Sequence, residues 1–204
     1  MRTRHALLAL LLVLPVGGCA WANKQIGYVM SGEAMSDKKP LPGLTEAKAK
    51  EHIASIIKDS LQDMPEGFYY AYYGPGGKPG DAGFSGGASV PVFGDDAPNQ
   101  LYSFSVSYWA QYPPGSPPVE ELYDKAAAYW SAHAQHLDAR KVFPRDDSFI
   151  TQDGYGVGLA INDNHEFAIH CTSPYYGRDG LGAGYPVADI ITRNGDTLAG
   201  KPPK

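Results

Sequence analysis

Cysteine is scarce in this chain: 204 residues hold two, Cys19 and Cys171. With Cys19 committed to the N-terminal processing described below, Cys171 has no internal partner, so a disulfide scaffold is excluded and the fold rests on its core. Charge is sparse at 19% and tilted to acid, with 17 Lys and Arg against 22 Asp and Glu. No basic patch is present to displace counterions from phosphates, which excludes nucleic acid as a partner. Long apolar runs are also missing. The longest, Ala6 to Leu14, is far below the roughly twenty residues that a membrane-spanning helix needs. No His-Glu-x-x-His, Walker-type loop or dinucleotide fingerprint occurs, so metalloprotease and nucleotide chemistry have no entry point and no cofactor is called for.

What is present begins at the N-terminus. Arg2 and Arg4, the short apolar run, a Pro15-Val16-Gly17-Gly18 break and Cys19 follow the order of a cleaved export signal. The stretch Val16-Gly17-Gly18-Cys19 resembles the bacterial lipobox, in which the cysteine thiol receives a diacylglycerol before cleavage. Residues 1–18 are therefore expected to be signal peptide and Cys19 the site of lipid attachment. Two or three acyl chains, at about 0.8 kcal/mol per buried methylene, make such an anchor effectively permanent. Ala20-Trp21-Ala22 offers the competing small-x-small cleavage, which releases a soluble chain from Asn23. Loss of residues 1–18 takes Arg2 and Arg4 with it and moves the net charge from −5 to −7. Anionic headgroups repel such a domain, so membrane contact is expected through lipid and not through charge.

Residues 19–43 are polar and turn-rich, as in a flexible tether. Residues 44–178 carry the periodic patterns of one α+β domain, and 179–204 form a Gly- and Pro-rich C-terminal segment in which Tyr185 to Ile191 can add a strand. Thr45 caps a first helix with the stripe Ala49, Ile53, Ile56, Ile57, Ser60, Leu61 and Met64, ended by Pro65. Phe68 to Tyr73 reads as an aromatic strand, Ser89 to Phe93 as a short edge strand and Leu101 to Gln111 as an alternating strand. That last strand sets Tyr102, Phe104, Val106 and Tyr108 on one face. Its other face carries Ser103, Ser105, Ser107 and Trp109, directed to solvent or a ligand. A second helix, with Ser116 as cap and Pro117 at its first position, carries the stripe from Val119 through Trp130 and Ala134 to Leu137. Gly154 to Ile161 and Glu166 to Thr172 form a hairpin through Asn162-Asp163-Asn164-His165. Lys141 to Phe143 or Phe149 to Thr151 supplies one more strand. The economical assembly is a two-layer α+β domain, two amphipathic helices on a curved antiparallel sheet, with helix-strand-strand occurring twice.

Side chains capable of chemistry are few. His133 and His136, three apart on the second helix, have a metal-compatible spacing but no third ligand at a diagnostic distance in sequence, so no metal is expected. Asp95-Asp96, Asp146-Asp147 and Asn162-Asp163-Asn164 lack the alternating ligands and closing glutamate of a calcium loop and read as surface turns. Cys171 alternates with Phe167 and Ile169 and reads as a small buried hydrophobe. The fourteen tyrosines read mainly as strand and rim filling. The region expected to face a ligand is the Gly74 to Asn99 loop with the serine face near Trp109.

The stretch Asp153-Gly154-Tyr155-Gly156-Val157-Gly158-Leu159-Ala160-Ile161-Asn162, followed by Phe167-Ala168-Ile169-His170 and Ser173-Pro174, resembles the closing hairpin of small actinobacterial lipoproteins of the mycobacterial type. Together with the two helices, the resemblance covers most of residues 45–176. It implies a membrane-attached α+β domain outside the cytoplasm and transfers no activity to any residue. Several such chains have cysteine after the Ser-Pro pair; Tyr175 stands there here, so no disulfide carries over.

The expected protein is thus a lipoprotein of the cell envelope, anchored at the extracytoplasmic side, with a non-catalytic domain that binds an envelope partner or small ligand. The alternatives are an envelope carrier enclosing an apolar, lipid-like molecule between helices and sheet, and a hydrolase with an unrecognised site. A carrier requires a closed apolar cavity of several hundred cubic ångströms. A hydrolase requires a cleft where a histidine or carboxylate meets a partner.

Overall fold

The structure, a computed structural model, describes residues 39–74, 87–92, 100–138, 141–182 and 187–197. The expected signal peptide, Cys19 and most of the tether lie outside the described residues, as does most of the Gly74 to Asn99 loop.

Helix α1 spans Glu46–Asp59 and opens as the sequence predicts, with the Thr45 hydroxyl accepting the Lys48 N–H at 3.3 Å and Glu46 in the first turn. Ala49, Ile53, Ala54 and Ile57 form its buried stripe. Leu61 and Met64 remain buried, but in the turn that follows the helix. The Arg193 guanidinium explains how that turn is held: it donates to the carbonyls of Leu61, at 3.2 Å, and Met64. Orphan carbonyls at a helix C-terminus need such donors, and a cation also suits the dipole there.

Helix α2 spans Val119–His133, and both of its ends correct the sequence reading. Ser116 and Pro117 do not cap or open it. Each precedes a proline and is thereby biased away from helical dihedrals, so the helix starts only after Pro118, with no side-chain cap. At the other end Ala134 is extended, and Gln135–Leu137 forms a strand, so His136 and Leu137 leave the helix.

The strands are β1 Tyr69–Ala71, β2 Ala88–Pro91, β3 Leu101–Gln111, β4 Gln135–Leu137, β5 Arg145–Ile150, β6 Gly156–Ile161, β7 Phe167–Thr172, β8 Tyr176–Gly177, β9 Ile190–Thr192 and β10 Gly195–Thr197. All pair antiparallel in one sheet, in the order β10-β9-β1-β3-β7-β6-β5-β4. The eleven-residue β3 is its spine: β1 and β2 share one edge of it, β7 and β8 the other. The protein is therefore α+β, with two helices and a large antiparallel sheet. The helix-strand-strand unit does not occur twice, because three strands follow α1 and seven follow α2. Of the two positions expected for one more strand, Lys141 to Phe143 forms none, while β5 starts earlier than Phe149 to Thr151 and shares Phe149 and Ile150 with it, and the C-terminal segment supplies β9 and β10.

One face of the sheet receives both helices. Tyr70, Phe104, Val106, Tyr108, Phe149, Val157, Leu159, Phe167, Ile169 and Ile191 form a single core with Ile53, Ile57, Leu122, Tyr123 and Trp130. Each fully buried aliphatic or aromatic side chain in it contributes about 1.5–3 kcal/mol. Tyr70, Tyr123 and Tyr176 are among the largest fully buried side chains: Tyr123 belongs to the expected stripe of α2, while Tyr70 and Tyr176 lie deeper than the strand and rim filling expected of the tyrosines. Cys171 belongs to the same core, wholly buried, and burial raises its thiol pKa.

Candidate functional site

The opposite face of the sheet is polar, and register explains its composition. Ser107, His170, Gly158 and Ser148 are successive cross-strand partners on β3, β7, β6 and β5; Ser105, Thr172 and Gly156 make the next row. The His170 ring lies among hydroxyls: Nδ1 is 2.7 Å from Ser107 Oγ, and Nε2 is 3.1 Å from Ser105 Oγ and 3.2 Å from Thr172 Oγ1. The serine face expected to meet solvent or a ligand is instead buried, with Ser103, Ser105, Ser107, Ser148, His170 and Thr172 all under 7% exposed. Burial disfavours the imidazolium and lowers the His170 pKa to about 4. The ring is neutral at physiological pH, one nitrogen donating and the other accepting. Its hydroxyl partners satisfy it, and it forms a structural crosslink between β3 and β7.

A second polar cluster lies on the helix side, near the β4 edge. The Tyr123 hydroxyl donates to Asp147 Oδ2 at 2.6 Å, and His136 Nε2 lies 3.3 Å from Oδ1. Burial raises the Asp147 pKa, but these two hydrogen bonds together with the nearby Lys141 and His136 outweigh it and the net shift is downward. Burial pushes Asp146 up, against the N–H groups of Val142 and Phe143. Arg145 covers the Tyr123 ring at 4.5 Å and pairs with Asp124. The cluster seals the polar end of a core tyrosine.

The two histidines singled out for their spacing are not brought together. His133 stacks on Tyr129 at 4.1 Å, at the end of α2, while His136 points to Asp147 from β4. His165 lies in the hairpin turn at φ 59°, 3.4 Å from Glu120. Among the described residues, no three His, Cys, Asp or Glu side chains form a group able to hold a metal ion. The acidic pairs read as turns fare differently: Asp146 and Asp147 lie within β5, Asn162 Oδ1 accepts the N–H groups of Asn164 and Glu166 to shape the hairpin, and Asp95-Asp96 lies outside the described residues.

One concave site among the described residues is passed over by pattern reading, because its walls are distant in sequence. An open groove of about 550 Å³ is lined by Leu41, Pro42, Gly43 and Leu44, by Lys48, Glu51, His52 and Ser55 of α1, and by Asp153 and Tyr155 from the β5–β6 turn. Asp153 is engaged from the turn itself: Thr151 Oγ1 donates to its Oδ1 at 2.5 Å, and Thr151 also takes the Tyr155 N–H at 2.9 Å. Its other oxygen lies 2.8 Å from His52 Nε2, and the His52 ring packs on Tyr155 with centroids 4.4 Å apart. Lys48 Nζ donates to the Gly43 carbonyl at 2.7 Å. Among the described residues, Glu51 and Ser55 have no side-chain hydrogen-bond or ion-pair partner. The helical spacing of 48, 51, 52 and 55 was the available signal, since those positions share one face of α1.

One hydrolase-type spacing is also present in the sequence, Gly83-Phe84-Ser85-Gly86-Gly87. Residues 83–86 lie outside the described residues. Gly87 leads directly into β2, whereas the nucleophile elbow that this spacing marks turns from a strand into a helix. Comparison of the chain with protein-family models, with curated proteins and with solved structures finds no match.

Proposed function

We propose that the protein is a lipoprotein of the cell envelope, attached through acyl chains at Cys19 and facing the extracytoplasmic side. Its α+β domain is a non-catalytic module that binds a partner or small ligand, of the kind its closing hairpin resembles. The observation that carries the binding role is the groove at the root of the tether. The Leu41 N–H donates to the Tyr175 carbonyl at 2.7 Å, which fastens the incoming chain to the domain beside that groove. Twenty-one residues lie between Cys19 and Leu41. As flexible chain they span about 25 Å, taking 5–6 Å times the square root of the length. A ligand bound in the groove is then held close to the bilayer surface.

The carrier alternative draws no support from the described grooves, which open at the surface. One is the groove at the tether root. The other, lined by Asp63, Lys125, Tyr129 and His133, is also a surface site. The hydrolase alternative has the His52–Asp153 pair in a groove as its strongest feature, with both side chains substantially exposed. Subcellular fractionation of cells expressing the wild-type chain and Cys19→Ala tests the anchor. Wild type is expected in the membrane pellet with an acyl mass increment at Cys19, and Cys19→Ala in the soluble fraction. An unmodified wild-type chain starting at Asn23 refutes the proposal.

A further inference from the structure

We infer that the groove at the tether root is a binding site for a dipeptide-sized zwitterion with an apolar side chain. The inference rests on the binding-module reading and assigns its ligand class. Three observations point to it. Charges of both signs line one concave surface: Lys48 toward the tether root, Glu51 beside it, and Asp153 at the His52 end. Lys48 uses one ammonium proton on the Gly43 carbonyl, which leaves two donors for an anionic group. Glu51 and the outer side of Asp153 can accept from an ammonium, and Ser55 adds a hydroxyl. Neither Glu51 nor Ser55 is engaged by another described side chain.

The spacing selects ligand size. Lys48 and His52 are four residues apart on α1, about 6 Å along its axis, and the Lys48 ammonium reaches back from there to the Gly43 carbonyl, so the cationic and His52–Asp153 subsites are at least about one helical turn apart. A single amino acid, whose two charges sit on one Cα, is too short to bridge them. An extended dipeptide covers about 7 Å. The pocket volume of about 550 Å³ has room for two residues. Leu41, Pro42 and Leu44 supply an apolar wall for a side chain, beside Tyr155 under the His52 ring. Asp153 and His52 are pre-oriented by Thr151 and Tyr155, so little side-chain freedom is lost on binding. The ligand places its carboxylate at Lys48 and its ammonium between Glu51 and Asp153.

Calorimetric titration of the detergent-solubilised full chain with L-leucyl-L-leucine tests this assignment. Saturable binding is expected with Kd at or below about 1 mM. N-acetyl-leucyl-leucine and leucyl-leucine amide, each lacking one charge, are expected to bind at least about tenfold more weakly. Glu51→Gln and Lys48→Met are expected to weaken the parent dipeptide by a similar factor. Glu51 is exposed and makes no fold contact, so its variant keeps the test independent of folding. No saturable heat up to about 10 mM, or equal binding of the blocked and parent dipeptides, overturns the assignment. A chain that ignores the dipeptide yet leaves the membrane when Cys19 becomes Ala loses this site and keeps its anchor. A chain that binds the dipeptide but is never lipidated does the reverse.

Discussion

Acid is expected to weaken this protein through one imidazole. His170 is wholly enclosed by β3 and β7 hydroxyls, and burial lowers its pKa from 6.5 to about 4. Between those two values the unfolded chain binds a proton that the folded chain refuses. Stability therefore has its full value above pH 6.5 and declines as the pH falls toward 4. Each pKa unit is worth about 1.4 kcal/mol, so the 2.5 units make about 3 kcal/mol, a large part of the 5–15 kcal/mol that typically holds a domain together. Urea unfolding followed by the fluorescence of the buried Trp109 and Trp130 gives the stability at pH 7.5, 6.5, 5.5 and 4.5. His170→Gln is the control, because it keeps donor and acceptor capacity but does not titrate. Asp146, Asp147 and the other carboxylates contribute to both proteins and cancel in the difference. The wild-type stability minus that of His170→Gln is expected to stay level from pH 7.5 to 6.5, then fall by about 1.4 kcal/mol per unit. A difference that does not change between pH 6.5 and 4.5, or an imidazole resonance of folded His170 titrating near 6.5, refutes the reasoning.

Three further expectations follow from the packing. Gly67 has φ +78°, and a Cβ there would meet Pro113 Cγ at 3.1 Å, so Gly67→Ala should cost about 1–2 kcal/mol by thermal or chemical unfolding. Arg193→Ala removes the donor to two carbonyls after α1 and should lower stability by about 1–2 kcal/mol, with faster amide exchange in residues 58–64 than in α2. Cys171 is fully buried and its thiol pKa is raised, so a thiol reagent such as DTNB should leave it unmodified in the native protein and label it stoichiometrically in denaturant.

Local patterns in the sequence were enough to place most elements. The alternation of Leu101 to Gln111 identifies β3 over its full length, and Thr45 marks the start of α1, because period-two alternation and side-chain capping are properties of a few adjacent residues. The same local reading loses the ends of α2, where two prolines and strand pairing of Gln135 to Leu137 with β5 prevail over the apolar stripe. Ser105, Ser107 and Thr172 read as polar positions with no indication that they enclose a histidine. That enclosure depends on β3 lying beside β7 in one register, and a shift of one residue would turn His170 toward the helices. The candidate groove has the same origin. Lys48, His52 and Ser55 share a helix face in any amphipathic reading, but Asp153 lies about a hundred residues further along the chain.

The sequence alone determines the acidic balance, the two helices and the longest strand, since each depends on composition or on neighbours within a few turns. Only tertiary structure decides that the serine face is buried, that His170 is neutral, that the C-terminal residues add β9 and β10, and that His52 meets Asp153. Those outcomes depend on strand order, register and long-range packing, which bring together residues whose local sequence carries no sign of one another.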